Sequence, residues 1–429
     1  MENFEQYLIE NFKWFHRHPE LPYEEVQTTA KIRELLTATG IEILPYLLET
    51  GLVAAVRGEK PVNINSEGNV AAGKKTAAAE NKSVHKELSA NSNTDEKSNT
   101  SAEINEIEHT GENTERYGTT RAALRCDIDA LPVTEQTDLE YRSEIPGHMH
   151  ACGHDFHITA GIGAAILLHE HRKEFSGTVK FLFQPAEEES HGAVKVLDTG
   201  ALDDVPCIWG FHADPSNEVN VVSVGEGYVT AAVDRFKIRV TGVGCHGAHP
   251  DDGVDPIPAA AAIVQSLQSI VSRNVNAMHP SLLSVTRISS GTTWNVIPSE
   301  AELEGTVRTL NREDRALYER RVREIAERTA AAYGAAAEVV WTPGPPATWN
   351  DGQMAEVGKK TALSLGMEVV PPKSSMSGDD FAYYIEKDIP GCYIRVGTGV
   401  GHPIHHPGFC VNTDVILPTA QLLAQLLMG

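Results

Sequence analysis

The first half of the chain alternates between apolar residues at helical spacing and short apolar runs. Residues 4–16 and 22–40 carry the spacing of two helices, and the apolar run 51–56 is typical of a buried strand. Between residues 121 and 212, three further strand patterns alternate with a small-residue helix, predicted over 158–169. This alternation predicts an α/β domain whose mixed, mostly parallel central sheet is flanked by helices.

Residues 228–341 carry a different pattern. Strand, helix, strand, strand, helix and strand follow one another, which predicts a small α+β unit of the ferredoxin-like type with one four-stranded sheet. The Pro/Gly-rich segment 343–346 marks a return to the first unit. We therefore expect one domain from residues 1–227 and 342–429, and a second from residues 228–341, as suits a chain of 429 residues.

Residues 59–118 show neither the helical nor the strand period. They are rich in Asn, Ser, Thr, Glu, Lys and Ala, and Tyr117 is their single aromatic residue. Such a segment buries too little apolar surface to offset the entropy lost on ordering, so it is predicted to be a disordered insertion in the first domain.

The charge of the chain narrows the class of partner. A formal net charge of −23 disfavours nucleic acid and anionic membranes and leaves small molecules as the expected target. No apolar run is long enough for a membrane helix, and the acidic, amphipathic start lacks the features of a secretory signal. The six cysteines are scattered without a C-x-x-C pair, so we expect reduced thiols and a cytoplasmic protein.

Metal-ligating residue types are concentrated in residues 148–157, HMHACGHDFH. Cys152 and His154 flank a glycine whose turn would let both side chains point at one spot, and thiolate and imidazole both bind Zn and similar ions. The alternative to a metal site is that the histidines cluster on the surface by chance. For this reason only these two residues are predicted as ligands, and His148, His150 and His157 are assigned to support or solvent contact.

Further donors follow three other apolar or loop segments. Glu187 and Glu188 come after a strand and a proline, and adjacent carboxylates on a turn can hold a metal and a water separately. His212 ends another strand, and His405 lies in a Gly/Pro-rich loop. Each histidine alone is weak evidence for a metal site. Four segments that all supply metal-binding side chains together indicate one shared site.

Six motifs follow one another along the chain: D-I-D-A-L-P (127–132), H-A-C-G-H-D (150–155), Q-P-A-E-E (184–188), G-x-G-x-H-x-A-x-P (242–250), N-V-I-P (295–298) and I-H-H-P (404–407). Taken in order, they resemble those of the M20 metallopeptidase and amidohydrolase family, in the branch of N-acyl-L-amino acid amidohydrolases that includes hippurate hydrolases and indole-acetyl-amino acid hydrolases. The motifs span nearly the whole chain outside residues 59–118.

The resemblance implies two divalent metal ions (Mn, Zn, Co or Ni) held by five side chains. These are Cys152, His154, Glu188, His212 and His405. It also implies that Glu187 is the general base, that Asp129 orients a ligand, and that His246 polarises the scissile carbonyl.

The substrate implied by the resemblance is a small N-acyl amino acid. Asn295 and Arg308 match the pair that would hold its free carboxylate, and a guanidinium fork suits that task, although Arg308 also reads as an ordinary surface strand residue. Residues 228–341 are expected to close as a lid and to form a homodimer, across which His246 would reach.

Three features depart from the family pattern. Asp379 in the run S-G-D-D-F (377–381) replaces a glutamate, His249 replaces an apolar residue, and the 59–118 insertion is foreign. None removes a predicted ligand. A dipeptidase or aminoacylase of the same family and a catalytically inactive metal- or ligand-binding scaffold remain the alternatives, and the presence of Glu187 beside a predicted ligand favours an enzyme.

Overall fold

The computed structural model describes residues 3–61 and 119–429. The predicted disorder of residues 59–118 therefore falls almost wholly outside the described residues. Its first residue, Glu59, is not part of an insertion, since it is the last residue of a strand paired with Ser176.

An eight-stranded mixed sheet forms the larger part of the structure, as the alternating pattern predicted. Its strands are β1 (Glu42–Ile43), β2 (Leu52–Glu59), β3 (Thr120–Asp127), β4 (Ser176–Gln184), β5 (Ile208–Asp214), β6 (Val221–Ser223), β15 (Glu368–Val370) and β16 (Gly391–Gly397). They lie in the order β1-β2-β4-β3-β5-β16-β6-β15. The four central strands β4, β3, β5 and β16 run parallel, so their carboxyl ends share one edge.

Helices cover both faces of this sheet, because successive strand residues point to opposite sides. In β3, for example, Leu124 belongs to one hydrophobic core and its neighbour Ala123 to the other. The first core is closed by α1 (Phe4–Arg17), α2 (Val26–Ala38), α3 (His154–Glu170), α7 (Gly352–Ser364) and α9 (Ile416–Met428). The second core is closed by α4 (Gly192–Asp198) and the short α8 (Ala382–Glu386).

The central helix α3 is buried almost all round and packs closely on the sheet. The sequence predicted its start at residue 158, but it begins at His154, because Gly153 adopts a left-handed conformation (φ 89°) just before it. A Cβ on Gly161 would overlap Cys126 Sγ, so the helix approaches β3 closely at this glycine.

A four-stranded antiparallel sheet with two helices makes up a smaller unit, called here the small sandwich. Its elements are β8 (Ala232–Thr241), α5 (Pro256–Arg273), β10 (Ser281–Ser290), β12 (Glu300–Thr309), α6 (Arg312–Ala332) and β13 (Ala336–Pro343). The sheet order β10-β12-β8-β13 matches the predicted strand–helix–strand–strand–helix–strand pattern. Caps define both helix starts, since Asp255 accepts from Ile257 N and Asn311 accepts from Glu313 N.

The small sandwich has a hydrophobic core of its own, distinct from the two cores of the large sheet. Two short ladders lie beside these sheets, one between β7 (Gly227–Thr230) and β14 (Thr348–Asn350), the other between β9 (Cys245–His246) and β11 (Val296–Ile297). The division into domains at residues 227/228 and 341/342 stays a prediction. None of the helices in the described part of the chain is both long and apolar enough to span a bilayer.

Replacing Gly161 by Ala is expected to destabilise the protein by about 1–3 kcal/mol, because the added methyl would overpack against Cys126. In Gly161→Ala/Cys126→Ala the contact is relieved, so the double variant should lose about 1 kcal/mol less than the sum of the single losses. Urea unfolding of the four proteins measures this coupling. Strictly additive losses would contradict the packing described.

Candidate functional site

The carboxyl ends of the parallel strands open into a cleft of about 780 Å³. Its lining includes Cys152, Glu187, Glu188, His212 and His405, which reach it from four separate segments of the chain. Parallel α/β sheets place ligand sites at this edge, because the loops that follow the strands meet there.

The turn before α3 brings Cys152 and His154 to this edge. Gly153 between them has φ 89°, and a Cβ there would lie 2.9 Å from Ala213 Cβ, so the turn can approach β5 only with glycine. As a result Cys152 Sγ lies 3.4 Å from His212 Nε2.

Among the described residues, three overlapping groups of potential ligand atoms each include two or more of the predicted ligands, and in each group all atoms lie within 4.8 Å of one another. The groups are Cys152–His154–His212, Cys152–Glu188–His405 and His154–Glu187–Glu188. The structure therefore brings the donor atoms of all five predicted ligands to one place. That they bind metal stays a prediction.

The histidine rings are oriented so that one nitrogen faces the group. His154 Nδ1 contacts Asp129 O at 2.9 Å, and His212 Nδ1 contacts Ala213 O at 2.7 Å, which directs each Nε2 inward. Among the described residues, His154 Nε2 and Glu188 Oε1 are buried atoms without a hydrogen-bond partner. The contacts of these two atoms are long, 3.6 Å from His154 Nε2 to Asp127 Oδ2 and 3.4 Å from Glu188 Oε1 to His405 Nε2. Buried nitrogen and oxygen atoms that lack hydrogen bonds fit a metal ion, because burial without a hydrogen bond is costly.

Asp129 and a backbone contact hold the other donors in place. Asp129 Oδ1 lies 3.1 Å from His154 Nδ1, and its Oδ2 accepts from Glu188 N at 2.9 Å. His405 donates its backbone N–H to Ala151 O at 2.7 Å, and its Nε2 lies 3.4 Å from Glu188 Oε1. The arrangement suits the orienting role predicted for Asp129.

Glu187 faces a group of carboxylates. It forms a cluster with Asp379 and Asp380, and its Oε1 accepts a long bond of 3.4 Å from Asp380 N. Burial, with the negative charges of Asp379, Glu188 and Asp380, raises the pKa of Glu187 well above its usual range. A side chain that readily keeps a proton in this position is suited to receiving and releasing one.

Beneath this cluster lies Arg125, a fully buried residue to which the sequence analysis gave no role. Its guanidinium pairs with Asp127, with Asp379 at 3.2 Å and with Asp380 at 2.8 Å, and donates to Gln184 Oε1 at 3.0 Å. Burial opposes the charge of Arg125, but the three aspartates raise its pKa well above the usual range. The sequence held a signal, because Arg125 and Asp127 alternate onto one face of an otherwise apolar strand.

The pKa values of two neighbouring histidines, His154 and His212, are shifted in opposite directions by their surroundings. Burial lowers the pKa of His212 to about 3, with the neighbouring His157 adding to the effect. Burial also opposes protonation of His154, but Asp127, Asp129 and Glu188 outweigh it and raise its pKa to about 10. His157 bonds to Asp127 Oδ1 and accepts from Ala213 N at 2.9 Å, in keeping with the support predicted for it.

A second residue that the sequence analysis missed lies behind the Glu187 turn. Glu25 is fully buried at the start of α2, and its Oε1 accepts from Ala186 N at 2.8 Å, while Thr50 donates to its Oε2 at 2.7 Å. Ala186 has φ 51°, an unfavourable conformation that this bond helps to hold. Burial raises the pKa of Glu25 to about 7.

The predicted substrate-binding residues separate into two places. Arg308 lines the cleft, which within the described part of the chain includes neither His246 nor Asn295. His246 lies in β9, and Asn295 directly precedes the paired strand β11, where Gly247 N donates to Asn295 O at 2.8 Å. The structure of one chain thus does not bring Asn295 and His246 to the metal-ligand group.

Asp379, which departs from the family pattern, lines the cleft and makes supporting contacts beneath it. Asp379 accepts from the Tyr393 hydroxyl and pairs with Arg125. Its neighbour Asp380 accepts from Gln184 and from Ala193 N at 2.8 Å. His249, the other substituted position, lies with its ring 5.5 Å from that of His246, outside the cleft lining.

Comparison with known proteins agrees with this geometry. A family model described as Peptidase family M20/M25/M40 matches residues 123–429. The chain is 39% identical to an N-acetylcysteine deacetylase of Bacillus subtilis (strain 168), covering 99% of this chain and 96% of that protein. It is 31% identical to IAA-amino acid hydrolase ILR1-like 2 of Arabidopsis thaliana, covering 96% and 82%.

Solved structures share the fold. The crystal structure of the Bacillus subtilis YXEP protein, described as a dinuclear metal binding peptidase from the M20 family, superposes with a TM-score of 0.79 at 36% identity, covering 100% of this chain and 98% of that one. A putative aminohydrolase from methicillin-resistant Staphylococcus aureus superposes with a TM-score of 0.81 at 27% identity, covering 99% and 97%.

The raised pKa of Glu25 predicts a pH-dependent stability. The unfolded chain releases this proton near pH 4.5 and the folded protein near pH 7, so the contribution of Glu25 falls as the pH rises between these values. Relative to Glu25→Gln, the wild-type protein should lose about 3 kcal/mol of unfolding free energy across this window, measured by urea unfolding at several pH values. Glu24→Gln, at the exposed neighbouring position, should follow the wild-type curve. Parallel curves for the wild type and Glu25→Gln would contradict the assignment.

Proposed function

Since the chain belongs to peptidase family M20/M25/M40, we propose that it is a metal-dependent amidohydrolase that cleaves N-acyl-L-amino acids to a carboxylate and a free amino acid. The observation that carries this proposal is the pair of buried atoms without a hydrogen bond, His154 Nε2 and Glu188 Oε1, beside the protonatable Glu187. Binding alone requires donors, whereas hydrolysis also requires a base next to them. Relatives named for deacetylation and for hydrolysis of amino acid conjugates support the same substrate class.

Five side chains would hold the metal. They are Cys152, His154, Glu188, His212 and His405. Mixed thiolate, imidazole and carboxylate ligands suit Zn, Mn, Co or Ni, and the overlap of the donor groups favours two ions. When bound, divalent ions would lower the pKa of a water molecule and polarise the acyl carbonyl.

Glu187 would move the proton. Its carboxylate takes a proton from the attacking water as the water oxygen bonds to the acyl carbon, and passes it to the departing amine nitrogen as the amide bond breaks. Asp129 keeps His154 and the Glu188 backbone in place while this happens, since it contacts both. Glu25 holds the turn that carries Glu187 through Ala186 N.

Arg308 would hold the free carboxylate of the substrate from the cleft wall. Asn295 and His246 would contribute from the β9–β11 ladder, so we propose that a second copy of the chain supplies them. The edge strand β10 and the neighbouring loop expose apolar side chains suited to such a homodimer, with Ile288 57% and Trp294 92% exposed. In this proposal, residues 228–341 act as a lid and dimerisation domain.

Replacing Glu187 by Gln is the direct test of the reaction. Hydrolysis of acetyl-, benzoyl- or indole-acetyl-amino acids should fall by about 10²–10⁴-fold, because the proton acceptor is lost while the ligands remain. Metal content measured by mass spectrometry should stay close to that of the wild type. The exposed neighbour Glu189→Gln is the matched control and should retain activity. Unchanged hydrolysis in Glu187→Gln would refute the assignment of the base.

A charged substitution on β10 tests the dimer. Ile288→Asp should shift the protein from dimer to monomer in sedimentation at micromolar concentration and lower its activity, because a buried charge would disrupt the interface. Val340→Asp changes a similarly exposed residue (54%) on the opposite edge strand β13 and should leave the dimer intact. A wild-type protein that sediments as a monomer would contradict the proposed assembly.

A further inference from the structure

Arg395 is a cationic residue of the cleft wall that the proposed reaction does not use. It lies in β16 directly opposite His212 in the neighbouring parallel strand β5. Adjacent strands are about 4.8 Å apart, so Arg395 projects from a position next to a predicted metal ligand. It is half-buried and lines the same cleft as Arg308.

The Arg395 guanidinium has weak partners. It donates to the carbonyl oxygens of Lys373 at 3.3 Å and Val229 at 3.4 Å, and within residues 3–61 and 119–429 it forms no ion pair. By contrast, Arg315 is held by two bonds to Asp234. In a chain with 59 acidic and 36 basic side chains, a cleft arginine without a carboxylate partner retains capacity for an anion.

Arg308 also lacks an ion pair with a carboxylate among the described residues. Its contacts are Thr306 Oγ1 and Val307 O, and no carboxylate of the described residues pairs with it. Arg308 lies opposite Val233 in the sheet, while Arg395 contacts Val229, four positions earlier along the chain. Four residues of extended chain span at most about 13 Å, so the two positions lie along one stretch of the cleft wall. Two arginine side chains that extend toward each other across this stretch would hold both anionic groups of one small molecule.

We propose that Arg395 determines substrate specificity by binding a second carboxylate of the substrate. The preferred substrates are then N-acyl amino acids with two carboxylates, one held by Arg308 and the other by Arg395. The second carboxylate belongs either to the amino acid side chain, as in N-acetyl-L-glutamate, or to the acyl group, as in N-succinyl-L-alanine. This inference rests on the proposed function.

Matched substrate pairs test the proposal and distinguish the two sources. The pairs are N-acetyl-L-glutamate with N-acetyl-L-glutamine, and N-succinyl-L-alanine with N-butyryl-L-alanine. In metal-loaded Arg395→Gln, kcat/KM should fall about 10–100-fold for the dicarboxylate of at least one pair and less than about 3-fold for its neutral partner, because a charge-assisted contact is lost. Arg395→Lys should retain part of the preference. Arg33→Gln, an equal charge change at an exposed position of α2, should leave both pairs unaffected.

Equal losses for both members of each pair would show a structural role for Arg395, and no loss in either pair would show that it does not contact the substrate. Either result overturns the proposal while hydrolysis itself stands.

Calorimetry of N-acetyl-L-glutamate and N-succinyl-L-alanine with the metal-loaded wild type separates the remaining outcomes. Binding weakened by Arg395→Gln, in a protein that hydrolyses neither these four compounds nor the benzoyl- and indole-acetyl-amino acids, would refute the reaction and support the anion site. Neither hydrolysis nor Arg395-dependent binding would refute both.

Discussion

The crowding of carboxylates at one edge of the parallel sheet is the constraint that the rest of the structure has to satisfy. Asp127, Asp379 and Asp380 share the single guanidinium of Arg125, which is completely buried among them. Burying so many like charges is costly unless each is paired and hydrogen-bonded. Gln184, Tyr393 and Ala193 N supply those bonds to Asp379 and Asp380, whereas Glu187, nearer the cleft, forms no ion pair with any described residue.

That imbalance links the fold to the proposed chemistry. Glu187 and Glu188 lie above the Arg125 network, and the pKa of Glu187 is raised by burial and by its acidic neighbours. Divalent cations beside these side chains would offset the negative charge and bind the atoms of His154 and Glu188 that lack hydrogen bonds. The cleft arginines, Arg308 in β12 and Arg395 in β16, line the same cleft, where a substrate rather than the protein would supply the anions.

Much of this could be predicted from the sequence, because the relevant signals are local. Apolar strands followed by metal-ligating residue types indicate the edge of the sheet. The turn glycine between Cys152 and His154 indicates that these two side chains point at one spot. A role for Arg125 could also have been predicted from the sequence, since Arg125 alternates with Asp127 along one strand. The role of Glu25 could not be predicted, because its contact with Ala186 joins positions 161 residues apart and no periodic pattern in the sequence indicates it. The separation of Asn295 from Arg308 was likewise hidden, since it depends on how a short ladder lies relative to the cleft.

The metal content of the protein tests the central claim most directly. Apoprotein titrated with Co²⁺ should bind two ions per chain, with a thiolate-to-metal absorption band that disappears in Cys152→Ala and with weaker binding in His212→Ala. A protein that binds no ion, or whose affinity and spectrum are unchanged by both substitutions, would contradict the account, because the five converging donors would then have no ligand in common.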